Sequence, residues 1–318
     1  MNLKSISCAY LKNAKKIIVS ESYIVILTGK AIIILDKARN YVKTLDGLKY
    51  AYEGLLSPDG KKLLVISNEP EFYILSLDTL EIINHCKLKG TVSGIEGKGC
   101  WSPDGRSVFL ILMDKKTESF LLRVYPTEDL GDFTDIHSIG EMLRFYDILS
   151  LPSENAIYIL AQSRYHEWTD SNPTTLTLLR IKDDQVEKYE IPNQSGIPFS
   201  MEYNKEARRF VIYTLHHAFT CDLVGENVRM IDIGIDTSIS GETLFSAPLI
   251  VKQILESANH KYIFMASNGG LDIFDKRTGD SLYFKEFSFG LENITEVEEN
   301  MIAVGTYSGT SRLYRILD

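Results

Sequence analysis

The sequence predicts an all-β chain: a seven-bladed β-propeller of four-stranded antiparallel blades, its ring closed by the N-terminal strand. Three observations predict it. The 318 residues include 17 Tyr and 14 Phe beside many Ile and Val, the residue types that suit a pleated, half-buried strand. Short β-branched or aromatic runs such as Leu63-Leu64-Val65-Ile66 and Phe210-Val211-Ile212-Tyr213 are bounded by Gly, Pro, Asn and Asp, with turn signals at intervals of roughly 8–12 residues. A turn motif also recurs. Ser57-Pro58-Asp59-Gly60 and Ser102-Pro103-Asp104-Gly105 stand 45 residues apart, and roughly 40–45 residues is the period of a four-stranded propeller blade.

Each tetrapeptide reads as a hairpin joining two strands. Pro presets φ for the first corner, Asp bonds its own backbone, and Gly takes the left-handed conformation. In chain order, the first unit opens with Ser20-Glu21-Ser22 before the strand Tyr23 to Ile26. The second and third carry the two sharp motifs, before Lys62 to Ser67 and Ser107 to Leu112. Weaker copies follow: Leu151-Pro152-Ser153-Glu154-Asn155 before Ala156 to Leu160, Asn204-Lys205-Glu206-Ala207-Arg208 before Phe210 to Tyr213, and Ser257-Ala258-Asn259-His260-Lys261 before Tyr262 to Met265. Glu298-Glu299-Asn300 precedes Met301 to Val304. That makes seven units of about 45 residues each.

Third strands end in an apolar residue and often Asp, as in Ile33-Ile34-Leu35-Asp36, Ile74 to Asp78 and Leu271 to Asp275. Fourth strands follow at Tyr41–Leu45, Glu81–Leu88, Phe133–Ile139, Val186–Ile191, Val228–Ile233 and Ser281–Phe287. The seventh unit ends after its third strand, Ser311 to Ile316, so its fourth strand is expected from Leu3 to Cys8 at the other terminus. Closure of that kind leaves only short, protected edges. The length alone would suggest two domains; the repeat replaces that with a single domain over 1–318.

With these repeats in view, the chain resembles the seven-bladed WD40-like and quinoprotein-like β-propellers, in which an S-P-D-G turn joins the two inner strands. No Gly-His opens the repeats and no Trp-Asp closes them; Leu77-Asp78 and Phe274-Asp275 are the nearest equivalents. The resemblance implies that the loops between second and third strands share one face with the connections between blades, and that the S-P-D-G turns lie on the other.

Composition narrows the function. Lys and Arg number 34 against 43 Asp and Glu, a net charge of −9, which argues against broad binding to nucleic-acid phosphates. The most apolar stretch, Ile17 to Leu35, is interrupted by Glu21, Gly29 and Lys30, so no membrane span is expected. The N-terminus shows no secretory pattern, and a cytoplasmic monomer is expected. Cys8, Cys86, Cys100 and Cys221 are far apart, with neither CxxC nor zinc-like spacing. They read as reduced thiols, and no metal or cofactor is expected. G-x-S-x-G is absent, and no catalytic residue is assigned.

Two groups of site residues are expected. The first is the blade-four loop Ser163 to Pro173, whose Arg164, Tyr165, His166, Glu167 and Trp168 have the composition of an interaction hot spot. The second comes from the innermost strands, where Glu53, Lys98, Asp147 and Lys252, with Arg144 from a connection, could approach the mouth of a central channel. His216-His217 sit at a loop tip, and neighbours on a strand point to opposite faces, which makes joint metal chelation awkward. The Gly90 to Gly99 connection lacks phosphate-loop spacing; a second long connection runs from Gly234 through Pro248. The expected function is a non-enzymatic scaffold that captures a protein partner through its loop face. The alternative is a small-ligand-binding or hydrolytic propeller, in the manner of sugar-lactone hydrolases, with its site at the channel mouth.

Overall fold

In six of the seven hairpins read from the sequence one residue turns left-handed; the first, Ser20-Glu21-Ser22, holds none. The computed structural model describes residues 1–11, 13–88, 92–114, 116, 120–136, 143–163, 176–183, 185–192, 198–205, 207–214, 218–231, 251–278, 280–288, 290–306 and 310–317. In the second and third units, Gly60 (φ +69°) and Gly105 (φ +70°) hold the left-handed position. The amide of Gly60 donates to the Ser57 carbonyl at 2.8 Å. The Ser57 hydroxyl donates to Asp59 at 2.6 Å and accepts from the Lys62 amide at 2.9 Å. The turn at Ser102 repeats these bonds. The weaker copies obey the same rule without glycine: Asn155, Arg208, His260 and Asn300 have φ of +47°, +49°, +58° and +59°. Around His260, the Ser257 hydroxyl accepts from the Tyr262 amide at 2.9 Å. Asn259 accepts from the Lys261 amide at 3.1 Å, as Asp59 does from Lys61.

The strands are all antiparallel. Strands β2 (Lys16–Val19), β3 (Tyr23–Leu27), β4 (Gly29–Asp36), β5 (Tyr41–Leu56), β6 (Lys62–Ser67), β7 (Glu71–Ser76) and β8 (Glu81–Lys87) form one sheet in that order. Four four-stranded sheets follow. They comprise β9–β12 (Val92–Trp101, Ser107–Asp114, Phe120–Pro126, Thr134–Ile136), β13–β16 (Leu143–Leu151, Ala156–Ser163, Leu176–Lys182, Gln185–Ile191), β17–β20 (Pro198–Asn204, Arg209–Thr214, Ala218–Cys221, Arg229–Ile231) and β21–β24 (Val251–Glu256, Tyr262–Ser267, Gly270–Asp275, Ser281–Glu286). The last sheet takes β25 (Leu291–Glu298), β26 (Met301–Thr306) and β27 (Ser311–Leu317), and β1 (Asn2–Ile6) pairs with β27 from Asn2↔Leu317 to Ile6↔Leu313. Among the described residues the only helical turns are short 3-10 turns, and no helix is long and apolar enough to cross a membrane.

The first sheet differs from expectation. Two separate four-stranded units were predicted at 16–88, but β5 runs unbroken through both. Its first part pairs with β4 (Ile32↔Leu45) and its second with β6 (Leu55↔Leu64). The chain bends between the two at Gly47 (φ +88°) and Tyr50 (φ +48°) while remaining extended elsewhere. A connection too short to hold a loop becomes strand, so two units share one ladder.

Second strands are apolar on both faces because both are covered. Leu63 and Val65 of β6 pack within the first sheet's cluster, toward Val25 and Ile34, while Leu64 and Ile66 pack on Trp101, Val108 and Leu110 of the next sheet. Each such side chain contributes about 1.5–3 kcal/mol by burial. The same layering recurs between the β9–β12 and β13–β16 sheets, and between β13–β16 and β17–β20. It also joins the last sheet to the first: Val297, Met301, Ala303 and Leu313 pack on Ile17, Ile24 and Ile26. First strands meet in succession, β2 with β5, β5 with β9, β9 with β13, β13 with β17, β17 with β21, β21 with β25, and β25 with β2.

The left-handed positions give a direct test. His260→Gly relieves a side chain held at φ +58°, so it is expected to stabilise the protein by about 0.5–1 kcal/mol despite the greater freedom of the unfolded chain. Urea unfolding measures this; a lower midpoint would show that the relief of strain is outweighed by the greater chain freedom and the lost contact of His260 with Glu256.

Candidate functional site

The innermost strands each carry a register shift. It falls between Ala51 and Glu53 in β5, Phe145 and Asp147 in β13, Pro198 and Ser200 in β17, Val251 and Gln253 in β21, and Leu291 and Asn293 in β25. In β9 the irregularity spans Ile95 to Gly99. A bulge leaves one residue unpaired and re-aims the next side chain. The residues that follow are polar: Glu53, Asp147, Ser200, Gln253 and Asn293, with Lys98 at the matching place in β9. All six line one cavity of about 790 Å³.

Their geometry shows what the polarity does. An innermost strand has no ladder partner on its cavity side, so its backbone groups there need other partners. Asp147 accepts the amides of Ile148 at 2.9 Å and of Met201, in the neighbouring sheet, at 2.8 Å. Gln253 accepts the Ile294 amide at 2.9 Å across the next boundary. Asn293 donates to the Lys15 carbonyl at 3.4 Å and Thr295 to Ile17 at 3.2 Å. Trp101 donates its indole N–H to the Leu55 carbonyl at 2.8 Å. The charges pair too: Lys16 with Glu53 at 3.1 Å within the first sheet, and Lys98 with Asp147 at 3.2 Å between neighbouring sheets. The Asp147 charge raises the Lys98 ammonium above its usual range against the opposing effect of burial.

One acid stands apart. Glu202 of β17 lines the same cavity, and burial pushes its carboxyl up to about 7. The Tyr213 hydroxyl, donating at 3.3 Å, works against that rise, and the negative charge of Asp147 adds to it. At the rim lie the exposed Lys15, Tyr50 and Asn68. Tyr50 is 61% exposed and left-handed, an unusual backbone for an aromatic residue. Its carbonyl accepts the Asn68 amide at 3.1 Å, so a second-to-third strand connection meets the bend in β5 at this rim.

Of the residues singled out in the sequence, Glu53, Lys98 and Asp147 come together on the cavity. Arg144 is not among the lining residues; it is exposed, with its guanidinium 5.3 Å from the Tyr146 ring centroid. Lys252 lies on β21, but its side chain is outside the described residues, as are 164–175 with Arg164, Tyr165, His166, Glu167 and Trp168. His216-His217 and the connection at 234–248 are outside them as well. Lys16, Ser200, Glu202, Gln253 and Asn293 escaped sequence reasoning, yet a partial signal exists. Glu53, Lys98, Gln253 and Asn293 each stand seven residues ahead of the left-handed residue of the following hairpin, namely Gly60, Gly105, His260 and Asn300. For Asp147 and Ser200 the same count is eight, back from Asn155 and Arg208.

The four cysteines are free thiols; burial raises the Cys100 and Cys221 thiols, which keeps them protonated. Among the described residues no group of three or more His, Cys, Asp or Glu is placed to hold a metal ion.

No family model matches the sequence, and no curated protein matches it. Solved structures do. The chain is similar to the β-propeller domain of Cps50 (Swd1) from Myceliophteria thermophila, with a TM-score of 0.67 and 13% identity over 99% of this chain and 100% of that one. It is also similar to hydrazine synthase from Kuenenia stuttgartiensis, with a TM-score of 0.66 and 12% identity over 98% and 97%. The likeness extends from end to end and shows the fold: the chain is an all-β protein of propeller architecture, as the repeat and its WD40-like resemblance implied.

Asp147 bears the heaviest duty at the site. Asp147→Ala strands the Met201 amide and the Lys98 ammonium, and is expected to cost about 3 kcal/mol. Lys98→Met leaves both amide bonds in place and is expected to cost less than half as much. Chemical denaturation of the two variants tests the order, and the reverse order would mean that the ion pair, not the backbone bonding, holds this boundary.

Proposed function

We propose that the protein is a non-enzymatic interaction scaffold: a single-domain ring of seven blades, closed by β1, that captures a protein partner in the cytoplasm through the face on which the second-to-third strand connections gather. The observation that carries this reading is the meeting of Tyr50 with Asn68 at the cavity rim. It places the bend between two units and a second-to-third connection on the same end of the molecule. Strand β14 ends at Ser163 and β15 begins at Leu176, which are the corresponding ends in the fourth unit. The stretch between them carries Arg164, Tyr165, His166, Glu167 and Trp168, a mixture of aromatic and charged groups suited to a partner interface. Around the cavity, most ionisable side chains are engaged in ion pairs or backbone bonds that hold neighbouring sheets together. Such groups serve the frame and are poorly placed to move protons in catalysis. The structural relative Swd1 supports the architecture of this reading; the partner is this protein's own.

The ring itself is supported by the contact of β25 with β2, by the apolar layer of Met301 and Leu313 on Ile24 and Ile26, and by the β1–β27 ladder. Removal of residues 1–9 takes away that ladder and the packing of Leu3 and Ile6. It is expected to lower Tm by roughly 5 °C or more, whereas an ordinary frayed terminus would leave it unchanged.

The interaction is tested with the double variant Tyr165→Ala, Trp168→Ala. It is expected to keep the wild-type melting curve and to lose the partner recovered by affinity capture from cells of the source organism. Undiminished recovery of the same partner would remove this loop from the interface.

A further inference from the structure

Every second residue of a strand faces the same way. On the innermost strands the polar set that follows the bulges comes first. Two residues further along come Leu55 after Glu53, Cys100 after Lys98, Leu149 after Asp147, Leu255 after Gln253 and Thr295 after Asn293; of these, Leu55 and Leu149 are among the residues that line the cavity. In β17 the residue at this place, after Ser200, is Glu202. A carboxylate stands where the neighbouring strands put apolar or small side chains.

The surroundings of Glu202 define what it lacks. Lys98 is engaged by Asp147 and Lys16 by Glu53, so each of those acids has a cation beside it. Among the described residues, Glu202 has the Tyr213 hydroxyl of β18 as its hydrogen-bond partner, at 3.3 Å. The charged groups that bear on it are Asp147 of β13 and Lys98 of β9, and these are already paired with each other. Leu55 and Leu149 share the cavity wall with it. Among the described residues of the lining, the remaining cation is Lys15, which is exposed. The cavity therefore presents a half-buried acceptor beside apolar wall, next to charges that neutralise one another.

We propose that this cavity is a binding site for a small aliphatic amine, whose ammonium group bonds the Glu202 carboxylate while its alkyl part rests on Leu55 and Leu149. The amine enters past Tyr50 and Asn68, and its charge meets the one carboxylate that, among the described residues of the lining, has no cation of its own. The site is independent of the loop interface, and neither requires the other.

The sign of the pH dependence follows from the chemistry. A carboxyl that titrates near 7 is largely ionised at pH 8 and largely neutral at pH 6, while an alkylammonium stays charged at both. Amine affinity should fall about tenfold between pH 8 and pH 6. Isothermal titration calorimetry of the intact protein with butylamine and with 1,4-diaminobutane tests the proposal, with 1-butanol, 1,4-butanediol and butyrate as controls. The amines are expected to bind at pH 8, the neutral and anionic controls not to, and Glu202→Gln to weaken amine binding by about tenfold or more while its Tm stays equal to or above that of the wild type. Absence of amine binding, equal binding by the alcohols, binding by butyrate instead, or unaltered affinity in Glu202→Gln would each overturn it. The wild-type pH series decides the matter alone if the variant does not fold.

Discussion

The inner strands of neighbouring sheets lie against one another without a shared backbone ladder, and everything near the axis answers to that constraint. A strand edge with unpaired amides and carbonyls either meets water or finds side-chain partners. Here the bulges supply them. By turning one polar side chain toward the boundary, each bulge lets Asp147 reach Met201, Gln253 reach Ile294, and Asn293 reach Lys15. These bonds run from β13 to β17, from β21 to β25 and from β25 to Lys15 just ahead of β2, so these sheets are held together by groups only one residue wide. Apolar layering outside this zone supplies most of the burial energy; the stitching fixes the angle and register at which the layers meet.

Much of the fold was legible because turns have chemistry. Ser57-Pro58-Asp59-Gly60 states its own geometry, and the degenerate copies keep its logic with other residues. His260 does the work of Gly60, and Asn259 that of Asp59, with the same serine oxygen accepting the same amide. What could not be read was the continuity of β5. Its sixteen residues contain Gly47 and Tyr50 at left-handed φ, and a glycine between two apolar runs ordinarily signals a loop. Only the pairing on both sides shows that it is a bend within a strand.

The site was half legible for a similar reason. Glu53, Lys98 and Asp147 are visible as charges on strands that the repeat places innermost. Gln253 and Glu202 are not, since which side chain faces the axis depends on a bulge, and a shift of one residue exchanges the faces of a strand. Lys252 and Gln253 are adjacent, and no pattern of hydrophobicity separates them. Nor does the distance back from the left-handed hairpin residue, which is seven for Glu53, Lys98 and Asn293 but eight for Asp147 and Ser200. Tyr50 and Lys16 carry no marker either.

A polar cavity at the axis of a fold like this one is not evidence of a ligand in itself. The stitching of neighbouring sheets demands polar side chains at the axis, and ion pairs such as Lys16–Glu53 and Lys98–Asp147 follow once those side chains are charged. The informative residues are those the stitching does not use. Glu202 stands two residues past the bulge and, among the described residues, bonds no backbone amide of a neighbouring sheet; it shares the cavity wall with Leu55 and Leu149. Burial of that carboxylate costs stability, and a leucine like those at 55 and 149 would remove the cost. A group that weakens the frame at the centre of the molecule is best explained by something that binds there.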